Sequence, residues 1–236
     1  MSRNDAIYEE EYKGLNIYII PDDDPQSCDP MDWDMLGKQV YWHRRMNLGH
    51  CHEITNKMSP EDWLRWQVGE HLKVNNWDVY SDKYEKFEEM TLEELWKEFE
   101  KYNLVIPVHA YEHGGITISA SGRRAGWDSF DSGQLGFVYV SHEDIKKEYN
   151  VKRLTKKVLE KAEKILRDEV ANYDDYLTGQ VYGFVIENQH EEELDSCWGF
   201  LGDYKYCLEN AKSQADFFAR EIEEKEWNAV PMSIQE

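Results

Sequence analysis

Apolar and polar positions are most sharply patterned over residues 104–140, LVIPVHAYEHGGITISASGRRAGWDSFDSGQLGFVYV, where three short apolar runs are separated by glycine. Residues 104–110 and 116–120 are rich in β-branched side chains and are joined by Gly114-Gly115. Residues 135–140 form a third run, entered through Ser132-Gly133 and Gly136. Runs of this length bounded by turn residues predict strands, and three in succession predict a meander at the centre of a sheet. Its loops carry His109, Glu112, His113, Arg123, Arg124, Asp128 and Asp131. Loops held by a rigid sheet are where chemistry is most easily placed.

Outward from this centre, residues 15–20 (LNIYII) predict a first strand, stopped by Pro21 and the turn-forming Asp22-Asp23-Asp24-Pro25. Residues 1–13 are polar and are expected to fray. Residues 35–48 can be read as a short helix or as a strand-like run, with the helix preferred, and residues 75–83 as a loop. Ser59-Pro60-Glu61-Asp62 is a helix start, with a capping serine, proline in the first turn and acids at the positive end of the dipole. Thr91-Leu92-Glu93-Glu94 is a capping box opening a helix to residue 102, with Leu92, Leu95, Trp96 and Phe99 as its apolar side. Ser141-His142-Glu143-Asp144 repeats the cap pattern.

Over residues 154–173, Leu154, Val158, Ala162, Ile165, Leu166, Val170 and Tyr173 recur at steps of three and four, the signature of a helix with one buried stripe. Residues 181–187 and 194–200 predict strands joined by a turn across Glu191-Glu192-Glu193. A last helix is expected over residues 206–227, with Leu208, Ala211, Ala215, Phe218 and Ile222 inward and Pro231 beyond its end. Neither a repeat nor a linker interrupts the chain. The pattern therefore predicts one α+β domain over residues 1–236, an antiparallel sheet built on the central three-strand meander and covered by several helices.

Composition sharpens this picture. With 41% hydrophobic residues, nine Trp, fifteen Tyr and eight Phe, the 236 residues can bury a large core, which excludes disorder of the whole chain. Asp and Glu outnumber Lys and Arg by 48 to 27, a formal charge of −21. The excess is spread along the chain, 23 acids against 11 bases in the first 100 residues and 25 against 16 in the rest. Such a field repels nucleic acid and favours a basic protein partner. Cys28, Cys51, Cys197 and Cys207 show no metal-binding spacing and read as reduced thiols. No run approaches the roughly 20 apolar residues of a membrane span, so a cytoplasmic location and no membrane partner are expected.

His109-Ala-Tyr-Glu112-His113 is the cluster best suited to chemistry. On a strand, residues four apart share a face yet stand about 13 Å from one another, so His109 and His113 grip one metal only if the backbone turns sharply at Glu112. Asp22, Asp23 and Asp24 with Asp128 and Asp131 offer oxygen ligands for Mg²⁺ or Ca²⁺ if their loops converge. A metal-dependent hydrolase or nucleotide-handling enzyme using His109, His113, Asp128 and Asp131 is therefore the alternative reading. Against it, Ser119, Ser121, Cys51 and Cys197 sit in no GxSxG elbow, and the phosphate-loop and GxGxxG patterns are absent, so no cofactor is expected. Trp63, Trp66, Trp127 and Trp198 read as packing residues. His43-Arg44-Arg45, the single basic cluster, is expected to pair with acids inside the fold or across a dimer.

Taken together, residues 20–50, 107–119 (PVHAYEHGGITIS), 127–141 (WDSFDSGQLGFVYVS), 176–187 (YLTGQVYGFVIE) and 195–200 (DSCWGF) resemble a family of uncharacterised proteins of bacteriophages and mobile elements. Phe130-Asp131 interrupts the WDSGQ run of that pattern, and His109 and Glu112 replace other residues in it, which counts against a catalytic role for either. The resemblance implies a phage setting and assigns no activity. In that setting an acidic accessory protein meets host defence nucleases, of CRISPR or restriction type, whose working surfaces are basic nucleic-acid grooves. Three acidic concentrations suit contact with such a groove by imitation of phosphates: Glu85, Glu88, Glu89, Glu93, Glu94, Glu98 and Glu100; Glu191, Glu192, Glu193 and Asp195; and Glu221, Glu223, Glu224 and Glu226.

Overall fold

The structure, a computed structural model, describes residues 3–74, 81–122, 124 and 130–229. Strands β1 (Tyr8–Tyr12) and β2 (Leu15–Pro21) come first, followed by β3 (Lys38–Tyr41). Helices α1 (His52–Thr55), α2 (Pro60–Leu72), α3 (Asp82–Glu88) and α4 (Leu92–Glu100) precede strands β4 (Asn103–Glu112), β5 (Ile116–Ser119) and β6 (Ser132–Ser141). Helices α5 (His142–Glu148) and α6 (Lys156–Leu177), strands β7 (Val181–Glu187) and β8 (Glu193–Leu201), and helix α7 (Tyr204–Ala229) complete the order. The fold is antiparallel α+β, as expected. The backbone gathers into two compact units, Met1–Asp32 with Asp175–Glu236, and Trp33–Asp174. Each has its own four-stranded sheet, where one sheet was expected.

In the first unit the order is β1-β2-β7-β8, all antiparallel. Residues 8–12 do not fray: they pair along β2 from Tyr8 opposite Ile19 to Tyr12 opposite Leu15. The run YEEEY hides a period of two. Tyr8 and Tyr12 pack on the core, and Glu10 between them reaches Lys212 at 2.8 Å. Lys13 and Gly14 both have positive φ, 52° and 75°, the backbone a two-residue hairpin turn requires. Leu15, Ile17 and Ile19 of β2 with Phe184 and Ile186 of β7 are buried against Cys207, Ala211 and Ala215 of α7. Each of those large side chains contributes roughly 1.5–3 kcal/mol by leaving water. The small residues facing them let the helix lie close to the sheet. A side chain at Gly183 would meet the ring of Trp198 at 2.2 Å, so this glycine is the bed of that indole.

The second unit has strand order β3-β6-β4-β5. The three predicted strands are adjacent, but they are not a meander: β6 returns to the free edge of β4, and β5 occupies the other edge. The register shifts between Val108 and His109. Residues 35–48 form no helix; they contain β3 and a looped segment after it. A buried network fixes β3. The Tyr41 hydroxyl donates to Gln39 Oε1 at 2.6 Å, and Gln39 Nε2 donates to the Glu169 carbonyl at 3.4 Å. The Glu169 carboxylate accepts from the backbone N–H of Leu36 and Gly37 at 2.6 and 2.9 Å. Asp174 accepts the Ile118 N–H at 2.6 Å and pairs with Arg124 at 2.7 Å, so α6 also fastens the edge strand β5. Ala162, Leu166, Val170 and Tyr173 form the buried stripe of α6, as the spacing predicts.

The opposite core is aromatic. Trp63, fully buried, lies with ring centroids 5.3 to 6.0 Å from Phe137, Phe99, Tyr139 and Trp42. Three expectations need correction here. Residues 82 and 83 belong to α3, capped by Ser81, and not to a loop; residues 75–80 lie outside the described residues. Leu92 is not on the core side of α4 but 52% exposed, because it is the first residue of its helix and precedes the buried Leu95 and Phe99. Trp66 is likewise more exposed than a packing residue, while Trp127 and Pro231 lie outside the described residues.

Candidate functional site

The acidic positions of the second unit are set by caps and one clamp. Thr91 accepts the Glu94 N–H and Glu94 accepts the Thr91 N–H at 2.8 Å, a closed capping box that fixes where α4 begins. Those hydrogen bonds hold the Glu94 carboxyl below its ordinary value. Arg65 of α2 donates to the carbonyls of Phe87, Glu88 and Met90 at 3.1 to 3.3 Å and so pins the corner between α3 and α4. The corner therefore presents Glu85, Glu88 and Glu89 to solvent on a rigid support. Glu93 is exposed but paired with Lys97 at 2.6 Å. Glu98 is spent internally, on Lys101 and on the Tyr102 hydroxyl, and Glu100 is exposed.

Beside this surface runs an apolar groove of about 720 Å³, lined by Trp42, Leu64, Leu92, Trp96, Leu135 and Phe137, with Glu93 on its rim. Trp42 is held by an indole N–H bond to the Met58 carbonyl at 2.9 Å. Trp96 packs on Phe99 and Phe137, at 5.9 and 5.1 Å between centroids. Pattern reading finds the glutamates but misses the groove, because its walls come from four separated segments. The one visible signal is an apolar residue, Leu92, inside a capping box.

In the first unit Glu191 and Glu192 occupy the β7–β8 turn, as expected, and Glu193 opens β8 opposite Glu187. The Asn188 side chain shapes the turn, accepting from His190 N and Glu192 N at 2.8 and 3.0 Å and donating to the Glu192 carboxylate at 2.7 Å. Glu193 accepts from Ser196, and Asp195 is half-buried. On α7, Glu221 pairs with Lys225 at 3.5 Å, Glu223 and Glu224 are exposed, and the side chain of Glu226 lies outside the described residues.

The fold divides the residues expected to carry chemistry. Glu112 turns to His43 and Arg45, at 3.1 and 2.6 Å. The His43 ring is 5% exposed, and its Nδ1 accepts the N–H groups of Met46 and Arg45 at 2.9 and 3.3 Å, so Nε2 carries the proton that bonds Glu112. Both ring nitrogens are thus committed to holding the 43–46 turn against β4, which is the internal pairing expected of the basic cluster. His113 faces Asp131 at 3.4 Å. His109 lies within β4, opposite Ser119 and Gln134, with its Nδ1 buried and lacking a hydrogen-bond partner among the described residues. Asp128 and Arg123 lie outside the described residues. Asp22 accepts the Asp24 N–H at 3.1 Å in the first unit, an Asx-type turn. Among the described residues, no group of three or more His, Cys, Asp or Glu side chains converges as metal ligands do.

The candidate nucleophiles fare no better. Ser119 is buried and accepts from Ser121 N at 3.2 Å. Burial raises the Cys51 thiol above its ordinary value, so it is not a thiolate at neutral pH, whereas Cys197 is exposed; Cys207, outside that set, is pushed up to about 12 by burial. All four cysteines are free thiols.

Arg45 and then His43 hold the Glu112 carboxyl below its ordinary 4.5. A lowered carboxylate stabilises the fold above its unfolded value, and that stabilisation is lost as pH falls through the folded value. The difference in melting temperature between wild type and Glu112→Gln is therefore expected to be constant from neutral pH to about 5 and to shrink below it. A pH-independent difference would show that this pairing is not formed.

No family model, no curated protein and no solved structure matches this chain.

Proposed function

We propose that the protein acts by protein–protein contact, with the α3–α4 corner and the adjoining apolar groove of the second unit as its contact face. A basic surface on the partner meets Glu85, Glu88 and Glu89 and seats one aliphatic or aromatic side chain between Trp42, Leu92 and Trp96. The observation that carries this reading is a set of exposed carboxylates, of which Glu88 accepts the Tyr84 hydroxyl, at the helix corner that also supplies Leu92 and Glu93 to a concave apolar surface. An apolar anchor ringed by charge is the arrangement of interfaces whose energy is concentrated in a few residues. The net charge of −21 adds attraction to a basic partner and repels nucleic acid.

The resemblance to phage and mobile-element proteins supplies the class of partner. On this reading the chain is an accessory protein in the cytoplasm of a bacterial host. It blocks the basic nucleic-acid groove of a defence nuclease complex, of anti-CRISPR or anti-restriction type, its carboxylates standing where phosphates would bind. Titrating the protein against purified nuclease complexes tests this. Affinity is expected to fall by about tenfold or more between low salt and several times physiological salt, since exposed charges are screened over such a range. Binding that ignores ionic strength removes the mimicry.

A further inference from the structure

A second concavity in the Trp33–Asp174 unit has a different character. It is a cleft of about 800 Å³ between the C-terminal end of α2, the end of α4 and the start of α5, within the usual range for small-molecule sites. Its floor is apolar, with Val68 and Phe99 buried and Tyr139 beside them. On one wall the exposed ring of His71 lies over Tyr102, 3.4 Å between centroids and tilted by 32°. Flat rings displayed in this way form a platform for another planar ring.

The cleft is also cationic, in a chain that is strongly acidic overall. Lys38, Lys73 and Lys146 line it. None of these three makes an ion pair among the described residues, whereas Lys101 is tied to Glu98. Asp144, lowered chiefly by Ser141 and Lys147, also feels Lys38, which places Lys38 beside the turn of α5 that carries Lys146. Asp144 is itself committed, to the Ser141 hydroxyl at 2.6 Å and to Lys147 at 3.0 Å. Glu70 and Glu143 also line the cleft and make no ion pair among the described residues. Three free cations against two free carboxylates suit a ligand of one or two negative charges and not a polyphosphate. Burial and then Lys146 lower the pKa of His142, against a backbone hydrogen bond to Lys101 that raises it, which leaves a neutral imidazole lining the cleft at neutral pH with its N–H given to that carbonyl.

We propose that this cleft binds a mononucleotide, with the base on the His71–Tyr102 platform and the phosphate met by Lys38 and Lys146. The site is separate from the α3–α4 contact face and does not depend on it.

Calorimetric titration of the full chain with AMP, adenosine and inorganic phosphate tests it. AMP is expected to bind saturably, at least about tenfold more tightly than either fragment, because base and phosphate are held together. Lys38→Ala with Lys146→Ala is expected to weaken AMP about tenfold and leave adenosine unchanged. His71→Ala is expected to weaken both, by roughly five- to a hundredfold for a lost stacking contact. The lysines make no ion pair among the described residues and His71 is exposed, so melting temperatures should stay at the wild-type value. Absence of saturable AMP binding at millimolar concentration overturns the proposal. So does phosphate binding as tightly as AMP, or AMP binding that these substitutions leave intact. The three-probe comparison on the wild-type chain stands even if a variant fails to fold.

Discussion

Replacing Gly136 with alanine is expected to cost about 3 kcal/mol or more and to lower the melting temperature of the second unit by roughly 6–12 °C. Gly136 pairs with Tyr41 across the β3–β6 ladder, and an added Cβ would stand 2.1 Å from the Val40 carbonyl oxygen and 3.0 Å from the Tyr41 Cα. Both obstacles are backbone, so no side chain can swing aside. Relief comes only by moving β3 away from β6, which breaks the register from Lys38 opposite Tyr139 onward and the bond from Trp42 N to the Leu135 carbonyl. Trp42 and Leu135 line the apolar groove, so the same variant should also lose partner binding. Gly133→Ala is the control: a Cβ there meets nothing within 4 Å, and the change should stay within about 0.5 kcal/mol. If the two variants melt together, the β3–β6 pairing described above is wrong.

Trp63→Ala carries the second large effect, about 3–5 kcal/mol by the usual cost of emptying a buried aromatic site. The side chain is fully buried and four rings touch it, so the cavity cannot collapse without moving Trp42 and Phe137, two walls of the groove. Its indole N–H is buried without an acceptor among the described residues. An orphaned donor costs free energy that an apolar ring does not. Trp63→Phe keeps a ring, removes that donor and is therefore expected to cost only about 1–2 kcal/mol. Denaturant unfolding of the two variants separates them. Equal loss in both would mean that the indole N–H has an acceptor, or that the ring is not packed as described.

The parts of this fold that are local in sequence were legible from it. Ser59, Thr91 and Ser141 each cap a helix as the cap pattern requires, accepting the N–H of Asp62, Glu94 and Asp144. The α6 stripe and strands β2, β7 and β8 follow from hydrophobic period alone. What was hidden depends on distant partners. Strand β1 is masked by three consecutive glutamates, one of which is neutralised from α7. Strand β3 has only four residues, and its buried Gln39 is acceptable only because Tyr41 and Glu169 satisfy its amide. Nothing local tells β6 to return to β4, since either edge of the β4–β5 hairpin is open to it. The acidic clusters were legible as clusters. The capping box already committed Glu94, but that Glu98 is consumed by Lys101 and the Tyr102 hydroxyl was not legible.

The central claim is that carboxylates on a rigid corner, beside an apolar groove, make this protein a binder of basic protein surfaces. Its most direct test is the affinity for a nuclease partner of wild type and of the triple variant Glu85→Lys, Glu88→Lys, Glu89→Lys, measured across ionic strength. All three side chains are exposed, so the variant should fold as wild type does. The account predicts a loss of affinity of about a hundredfold at low salt, with a markedly flatter salt dependence. A triple variant that binds as tightly as wild type, with the same slope against salt, contradicts it.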